Sequence, residues 1–370
     1  MAKAQEDLQS VYEVQGEINP RKIKRIEWVG MGFVLLMVAL LVSKPDLISG
    51  AFSAMLNRVK PIIVDVFLTG GVGVAIILSV MTGRMLERLG FTDALVRLFV
   101  PITNKLKVNS AVVIPGIYNI LGDINAAGRI GGPILKRAGA TKDEQMIAIA
   151  TMVQSQQSFS CFMLGLVALS IAGINAFPVI LLAIFTPLVV VPFLLSKTIF
   201  RNTRAVALQD LPEFTPNTPY FSTLFKGARE GAELLFLLVI PAVAVIFGLI
   251  GLLDFMGVWK PFEQGMTQFM GWIGADPKTG ITAVMASPTL AMSQLHDVAT
   301  NMDPRLVVGT FVLAASGLPL SDIFGQVPAI WSTNSSDLSP REALIAAIIG
   351  ITMRIITVII ISYGLTPFLI

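Results

Sequence analysis

The chain contains very few of the side chains that form covalent cross-links, metal centres or catalytic sets. Among its 370 residues there is one cysteine, Cys161, and one histidine, His296. A single cysteine excludes an internal disulfide and any multi-cysteine metal site. A single histidine argues against a histidine-based metal centre and a Ser-His-Asp set, and no paired carboxylates are evident. The sequence therefore predicts a protein that is not an enzyme and that has no cofactor or metal.

Charged residues are also scarce, whereas apolar residues are abundant. Only 14% of the residues are Asp, Glu, Lys or Arg, while 54% are hydrophobic and the mean hydropathy is +0.75. Several apolar runs approach the length of about 20 residues that crosses a bilayer as a helix. The net charge of +3 comes without a basic-aromatic patch, which argues against nucleic acid as a partner. We therefore predict an all-α polytopic membrane protein in a lipid bilayer.

Seven apolar runs have the length of transmembrane helices. They are 28–46, 61–83, 146–172, 177–197, 232–252, 306–331 and 344–366. With a cytoplasmic N-terminus, the predicted internal segments hold 19 Lys and Arg residues and the external segments hold six, as the positive-inside rule requires. Two further stretches, 109–137 and 279–303, are too polar for a crossing and too apolar for a loop. We predict that both are re-entrant hairpins, the first from the cytoplasm and the second from outside.

An internal repeat organises these elements. Residues 85–101 resemble residues 252–268 after a shift of 167 positions, and the same shift aligns Asn125 with Met292. Both halves then have the order helix, amphipathic segment, hairpin, helix with a polar break, helix, in opposite predicted orientations, which is typical of inverted-repeat transporters with a midplane site. The predicted segments are a cytoplasmic N-terminus (1–27), an extra first transmembrane helix with an external loop (28–59), the first repeat (60–200), a cytoplasmic linker (201–223) and the second repeat (224–370).

Polar residues interrupt the first hairpin and the helix that follows it. Asp123 and Asn125 lie at the predicted hairpin tip, where helix N-terminal amides can bind an anion or unwound carbonyls a cation. Ser and Gln donate and accept hydrogen bonds without a permanent charge, so the following helix suits a neutral hydroxylated or amide-bearing solute. The polar side chains with the i, i+3, i+4 and i+7 spacing of one helix face are Thr151, Gln154, Ser155 and Ser158.

The second half contains a matching set of polar residues. Pro319 removes a backbone donor from the broken helix, so nearby polar groups are expected to pair with the freed carbonyls. A carboxylate at membrane depth is costly unless it has a function or a partner, which makes Asp322 the candidate to bind a coupling H⁺ or Na⁺. The predicted solute-binding residues of this half are Ser293, Gln294, Ser316, Ser321 and Asp322.

Each candidate also has a structural explanation. Asp123 could pair with Arg129 and hold the hairpin turn together, and Asp322 could pair with Arg354 in the last helix. Ser and Gln side chains also bond between membrane helices, where each hydrogen bond contributes only about 0.6 kcal/mol on average. These alternatives predict helix packing in place of a solute site.

Two segments of the chain resemble a known family. LGDINAAGRIGGPILKRAG followed by TMVQSQQSF is similar to the bacterial nucleoside-recognition, or Gate, domain, with Gly, Asn and small residues in a hairpin before a polar-broken helix. MASPTLAMSQLHD with GTFVLAASGLPLSD resembles the spore maturation B half of that family. The chain therefore resembles a fused spore maturation A/B-type protein and, more distantly, the concentrative nucleoside transporters.

The resemblance implies a hairpin-and-broken-helix transport core in a bacterial inner membrane. The leading prediction is a secondary transporter of a small polar solute, nucleoside-like by family association, that works by alternating access with H⁺ or Na⁺ as the coupling ion. The alternatives are a non-transporting assembly protein of the spore-maturation type and a metal-ion permease or channel, and a homo-oligomer is consistent with the family. The residues that the resemblance assigns to one central site are Asn125, Gln154, Ser155, Ser293, Ser321 and Asp322.

Overall fold

The computed structural model describes residues 23–155, 158–206, 212–317, 319–335 and 337–369. Within these ranges every regular element is a helix. The helices that are long and apolar enough to cross a membrane are Arg25–Ser43, Ala176–Lys197, Tyr220–Phe255 and Pro340–Phe368. They cover four of the seven predicted spans, so the chain has the helical character of a polytopic membrane protein.

The other three predicted spans are each broken in the structure. Pro45–Leu68 and Gly71–Arg88, which share the predicted span 61–83, meet at a bend of 54°. Among the described residues, the predicted span 146–172 is interrupted at Ser155 and Ser158, and the predicted span 306–331 is interrupted at 315–317 and 319. Hydropathy detects apolar content but not backbone direction, so the sequence does not indicate the bend near the predicted span 61–83.

The chain divides into two compact units, residues 1–53 and 54–370. The described part of the first unit contains α1 (Arg25–Ser43) and the first turns of α2 (Pro45–Leu68). No residue of α1 is buried, and apolar side chains such as Phe33 and Leu35 are more than half exposed. An exposed surface of this composition suits contact with lipid.

The second unit contains the remaining helices. In chain order they are α3 (Gly71–Arg88), α4 (Phe91–Lys105), α5 (Ser110–Leu121), α6 (Ile124–Arg137), α7 (Lys142–Gln154), α8 (Phe159–Ile171), α9 (Ala176–Lys197), α10 (Tyr220–Phe255), α11 (Trp259–Ile273), α12 (Pro277–Met285), α13 (Pro288–Val298), α14 (Pro304–Ala314), α15 (322–334) and α16 (Pro340–Phe368). The helix pairs α5/α6 and α12/α13 occupy the two stretches predicted as hairpins. The pairs α7/α8 and α14/α15 are the two broken helices.

Side chains at the hairpin turns cap the second arm of each hairpin. Asp123 Oδ1 accepts the N–H groups of Asn125 and Ala126 at 2.8 and 3.0 Å. In the second hairpin, Ser287 Oγ accepts the N–H of Leu290 at 3.4 Å. Such caps pair N–H groups that have no intrahelical acceptor. Both turns are therefore compatible with a buried environment.

The order of elements repeats with the shift of 167 residues found in the sequence. Moving α4 by 167 positions gives 258–272, against Trp259–Ile273 observed for α11. Moving α9 gives 343–364, which lies inside Pro340–Phe368 of α16. The hairpin helices and the broken helices correspond with offsets of up to seven residues, so the two halves have the same succession of helices.

Each hairpin packs on the post-break helix of the opposite half. Glycines on α6 allow a close approach to α15, because a Cβ on Gly128 would lie 3.1 Å from Trp331 Nε1 and one on Gly132 would lie 2.8 Å from Asn334 O. On α8, a Cβ on Gly165 would lie 3.0 Å from the Met292 sulfur of α13. The two halves are therefore interlocked through their hairpins.

The described part of the predicted linker is anchored to α4. Asp93 accepts the N–H groups of Phe214 and Thr215 at 2.8 and 2.9 Å, and it also accepts the Thr215 hydroxyl. Residues 201–206 and 212–219 are irregular, whereas α10 begins at Tyr220, inside the predicted linker 201–223 and well before the predicted span 232–252. Residues 207–211 of the linker lie outside the described residues.

We expect Asp93→Ala to release this segment. The substitution removes three hydrogen bonds to a carboxylate, which contribute about 1.5–3 kcal/mol each, so protease cleavage within 212–219 should be several-fold faster. Limited proteolysis of the purified protein measures this rate. Glu263→Ala, which removes an exposed carboxylate on α11, is the control. Equal cleavage rates in the two variants would contradict the anchoring role.

Candidate functional site

The two helix breaks lie against one another and against the first hairpin. The Gly317 N–H donates to Val153 O at 2.8 Å. A Cβ on Gly317 would lie 3.4 Å from Val153 Cα and 2.8 Å from Ile124 Cδ1, so only a glycine fits this crossing without a shift. Three segments that are far apart in the sequence therefore meet at one point. They are the end of α7, the second break and the tip of the first hairpin.

The first break leaves no carbonyl of the α7 C-terminus unpaired. An α-helix has no intrahelical donor for its last four carbonyl groups, and an unpaired carbonyl at membrane depth is costly. The Thr151 carbonyl accepts the Ser155 N–H at 3.0 Å, and the Met152 carbonyl accepts Asn119 Nδ2 at 3.2 Å and Ser155 Oγ at 2.8 Å. The Val153 carbonyl accepts the Gly317 N–H at 2.8 Å, and the Gln154 carbonyl accepts Arg354 Nη1 at 3.0 Å. The break is therefore stabilised by contacts from several elements and is not a frayed helix end.

The second break is capped in the same way. Backbone amides pair with two carbonyls, since Phe311 O accepts the Ala315 N–H at 2.8 Å and Ala314 O accepts the Ser316 N–H at 2.7 Å. Ser316 Oγ donates to Leu313 O at 2.6 Å. Arg354 donates through Nε to Val312 O at 2.6 Å and through Nη2 to Ala315 O. One side chain, Arg354, thus contributes to both helix ends.

Arg354 is fully buried, with 0% of its surface exposed. Besides the two helix ends it donates to Ala183 O at 2.5 Å, in the π-helical turn Leu181–Phe185 of α9. Among the described residues it forms no ion pair with Asp322, which accepts the Gln326 side-chain N–H at 2.7 Å. The sequence alternative in which Arg354 balances Asp322 is therefore wrong, because the guanidinium donates four of its five N–H groups to backbone carbonyls instead.

The predicted site residues of the first hairpin lie at its turn. Asp123 is half-buried and caps α6, and Asn125 is half-buried in the first turn of that helix. Arg129 is exposed, and in the described part of the chain it forms no ion pair with Asp123. The carboxylate holds the turn through backbone amides, so the alternative pairing with Arg129 is also wrong.

The prediction that four polar residues share one face of the next helix is wrong. The helix ends at Gln154, Ser155 is extended, and Ser158 has a positive φ of 66°. Thr151 and Ser155 lie against the first hairpin, where Ser155 Oγ also donates to Gly116 O at 3.1 Å. Gln154 lies on the other side and donates to the Thr357 hydroxyl of α16 at 2.8 Å. The neighbouring polar residues 156 and 157 lie outside the described residues.

In the second half, the predicted residues differ in their exposure. Ser293 is 5% exposed and Gln294 is half-buried, both on α13. Ser316 is fully buried and is used to cap α14. Ser321 is exposed, whereas Asp322 is 6% exposed at the start of α15. The two neighbouring residues at the start of α15 therefore lie in different environments.

Each hairpin and each broken helix contains a buried amide oxygen that has no hydrogen-bond partner among the described residues. Within the described residues they belong to Asn119 on α5, Gln154 at the first break, Gln294 on α13 and Gln326 at the start of α15. Unpaired buried polar atoms are rare in folded proteins, and an amide oxygen accepts hydrogen bonds from hydroxyl or N–H donors. Sequence reasoning missed Asn119 and Gln326, although a lone amide inside an apolar stretch could have indicated both.

An apolar groove of about 570 Å³ runs between α9 and α16 and reaches Gln154. Apart from this glutamine and four threonines, its lining is aliphatic, with residues such as Leu194 and Ile356. Such a surface suits hydrocarbon more than a polar solute. The unpaired amides of the hairpins and breaks are therefore the stronger candidate for a polar site. No cluster of three His, Cys, Asp or Glu residues suited to a metal ion occurs in the described ranges.

Solved structures of a nucleoside transporter have a similar fold. CNTnw, a concentrative nucleoside transporter, in an inward-facing substrate-bound state matches with a TM-score of 0.58 and 15% sequence identity, over 90% of this chain and 85% of that chain. Two substituted variants of CNTnw in outward-facing states match with TM-scores of 0.56 and 0.57 and identities of 14% and 15%. They cover 92% and 90% of this chain, and 88% and 86% of their own.

At these identities the similarity is one of fold. No protein-family model matches the chain, and no curated protein matches it. The resemblance to the Gate-domain and spore maturation proteins therefore stays a prediction. The predicted distant link to concentrative nucleoside transporters is confirmed as a similarity of fold over 90% of this chain.

Proposed function

We propose that this protein is a secondary transporter that moves a small polar solute across a membrane by alternating access. The observation that carries the proposal is the meeting of two broken helices at their breaks, beside a hairpin tip, with unpaired amide oxygens on both hairpins and both broken helices. A packing role would leave such amides paired. CNTnw, which shares the fold, has both inward-facing and outward-facing states.

The proposed arrangement in the membrane follows the sequence prediction. Seven membrane-crossing segments and two re-entrant hairpins form an inverted repeat around a midplane site, with a cytoplasmic N-terminus in a bacterial inner membrane. The repeated element order and the excess of Lys and Arg in the predicted cytoplasmic segments support this topology.

The proposed solute is neutral and rich in hydrogen-bond donors. The unpaired atoms are amide oxygens, which accept hydroxyl and N–H groups and carry no charge to attract an ion strongly. A nucleoside or a related heterocycle fits this requirement. If transport is coupled to a proton, Asp322 is the candidate carrier, because it is the buried carboxylate beside the second break.

We expect Gln154→Ala to weaken solute binding about tenfold or more, since one lost hydrogen bond at a buried site is worth about 1–3 kcal/mol. The measurement is a thermal-shift screen of detergent-solubilised protein against nucleosides, nucleobases and small acids. Gln268→Ala, which alters an exposed glutamine on α11, should bind like the wild type.

A folded protein that responds to no member of the panel would overturn the proposal. The spore-maturation-type assembly role would then be favoured, and a search for protein partners would follow. Binding that is unchanged in Gln154→Ala would instead remove this residue from the proposed site.

A further inference from the structure

The buried guanidinium of Arg354 lies where the C-terminal ends of two half-helices converge. It donates to Gln154 O, the last carbonyl of α7, and to Val312 O and Ala315 O at the end of α14. We propose that Arg354 is a fixed internal cation at the two breaks, and that it takes the place of a coupling sodium ion there. The claim about coupling rests on the transport function proposed above, whereas the claim about charge does not.

The charges at this point balance without an added ion. The C-terminal end of an α-helix carries a partial charge of about −0.5, so two ends contribute roughly one negative charge. Both α7 and α14 are long enough to have such an end, with 13 and 11 residues. The single positive charge of Arg354 neutralises this pair, because an arginine side chain is not deprotonated in proteins.

The carbonyl oxygen atoms of the two described helix ends are also occupied. In transporters with broken helices, unwound carbonyls and half-helix C-terminal ends coordinate the coupling cation. Here the carbonyls of residues 151–154 and 311–315 each accept a hydrogen bond from Arg354, a serine, an asparagine or a backbone amide. A sodium ion would have to displace these donors and would be repelled by the neighbouring guanidinium.

Arg354 is held by contacts from all sides. It lies near the middle of α16, and its partners belong to α7, α9 and α14, all in the second compact unit. Four of its five N–H groups are used, and none of its surface is exposed. The positive charge therefore moves with these helices, in contrast to a sodium ion that enters and leaves with the solute.

The test compares melting temperatures in NaCl and in choline chloride at equal ionic strength. For the wild type we expect a difference of less than about 1 °C, since no sodium site has to be filled. Arg354→Ala should melt at a lower temperature, should be more stable in NaCl than in choline chloride, and should be stabilised by millimolar guanidinium but not by urea. Arg341→Ala, which removes an exposed arginine from the same helix, should show neither response.

Two results would overturn the inference. One is a saturable stabilisation of the wild type by sodium over choline. The other is a folded Arg354→Ala variant that responds to neither sodium nor guanidinium.

If Arg354→Ala does not fold, Arg354→Lys and Arg354→Gln replace it. The lysine variant should be insensitive to sodium and the glutamine variant sensitive, and the reverse order would reject the proposal. These readouts do not involve the solute, so a failure to bind any solute would overturn the transport function alone.

Discussion

Gly309→Ala is expected to destabilise the protein by about 3 kcal/mol or more, at or beyond the upper end of the usual cost of overpacking. Gly309 lies on α14 against the turn between α11 and α12. A Cβ at this position would lie 1.9 Å from Gly274 O, a backbone atom that no rotamer change can move away. The turn itself is fixed by the bond from the Ala275 N–H to Met270 O at 2.9 Å. The clash can therefore be relieved only by moving α14, which leads directly into the second break.

The measurement is the melting temperature in detergent, where the expected loss is roughly 6 °C or more. Gly265→Ala is the matched control, because it lies within α11 and an added Cβ meets nothing within 4 Å. That control should be neutral or stabilising, since alanine is favoured over glycine inside a helix by about 1 kcal/mol. Similar melting temperatures for the two variants would mean that α14 does not pack on the turn as described.

The stretches predicted as hairpins contain the helix pairs α5/α6 and α12/α13, and both helix breaks lie at polar interruptions, because polar groups at membrane depth need a special environment. Pro319 and Gly317 indicated the second break. The first break, between Gln154 and Phe159, has no proline or glycine. The sequence therefore predicts a continuous helix there, with Thr151, Gln154, Ser155 and Ser158 on one face. Helical periodicity describes a face only as long as the helix continues, and here the helix ends at Gln154, before Ser155 and Ser158.

The role of Arg354 could not be predicted from the sequence. A search for the partner of a buried charge looks for a carboxylate, which a sequence displays, and Asp322 was the nearest candidate. The actual partners are backbone carbonyls on three other helices. Every residue has such a carbonyl, so only the tertiary arrangement shows which ones are free. The contact between Asn119 and Met152 O was missed for the same reason.

Two glycines of the first hairpin lie against a large side chain of α15. Gly128 and Gly131 have the i, i+3 spacing of one helix face, and both lie against Trp331 of α15. A Cβ on Gly131 would lie 3.4 Å from the Trp331 ring. The spacing of the glycines is visible in the sequence, whereas only the tertiary structure shows which large side chain fills the space beside them.

Trp331→Ala should therefore cost about 3–5 kcal/mol, the usual range for deleting a buried tryptophan side chain. Trp331 is 0% exposed and is the largest fully buried side chain among the described residues. Its removal leaves a cavity beneath the first hairpin, where the glycines have no side chains to fill the space. The hairpin then loses the surface that positions Asp123 and Asn125, so solute binding should fall together with stability.

Melting temperature and solute-induced thermal shift measure the two effects in the same samples. Trp272→Ala is the control, because that tryptophan on α11 is 67% exposed and its loss leaves no internal cavity. Trp331→Phe should lie between the wild type and Trp331→Ala, since it keeps an aromatic ring and removes an indole N–H that has no partner among the described residues. If Trp331→Ala melted at the same temperature as Trp272→Ala, the first hairpin would not depend on α15, and the interlocking of the two halves through their hairpins would have to be abandoned.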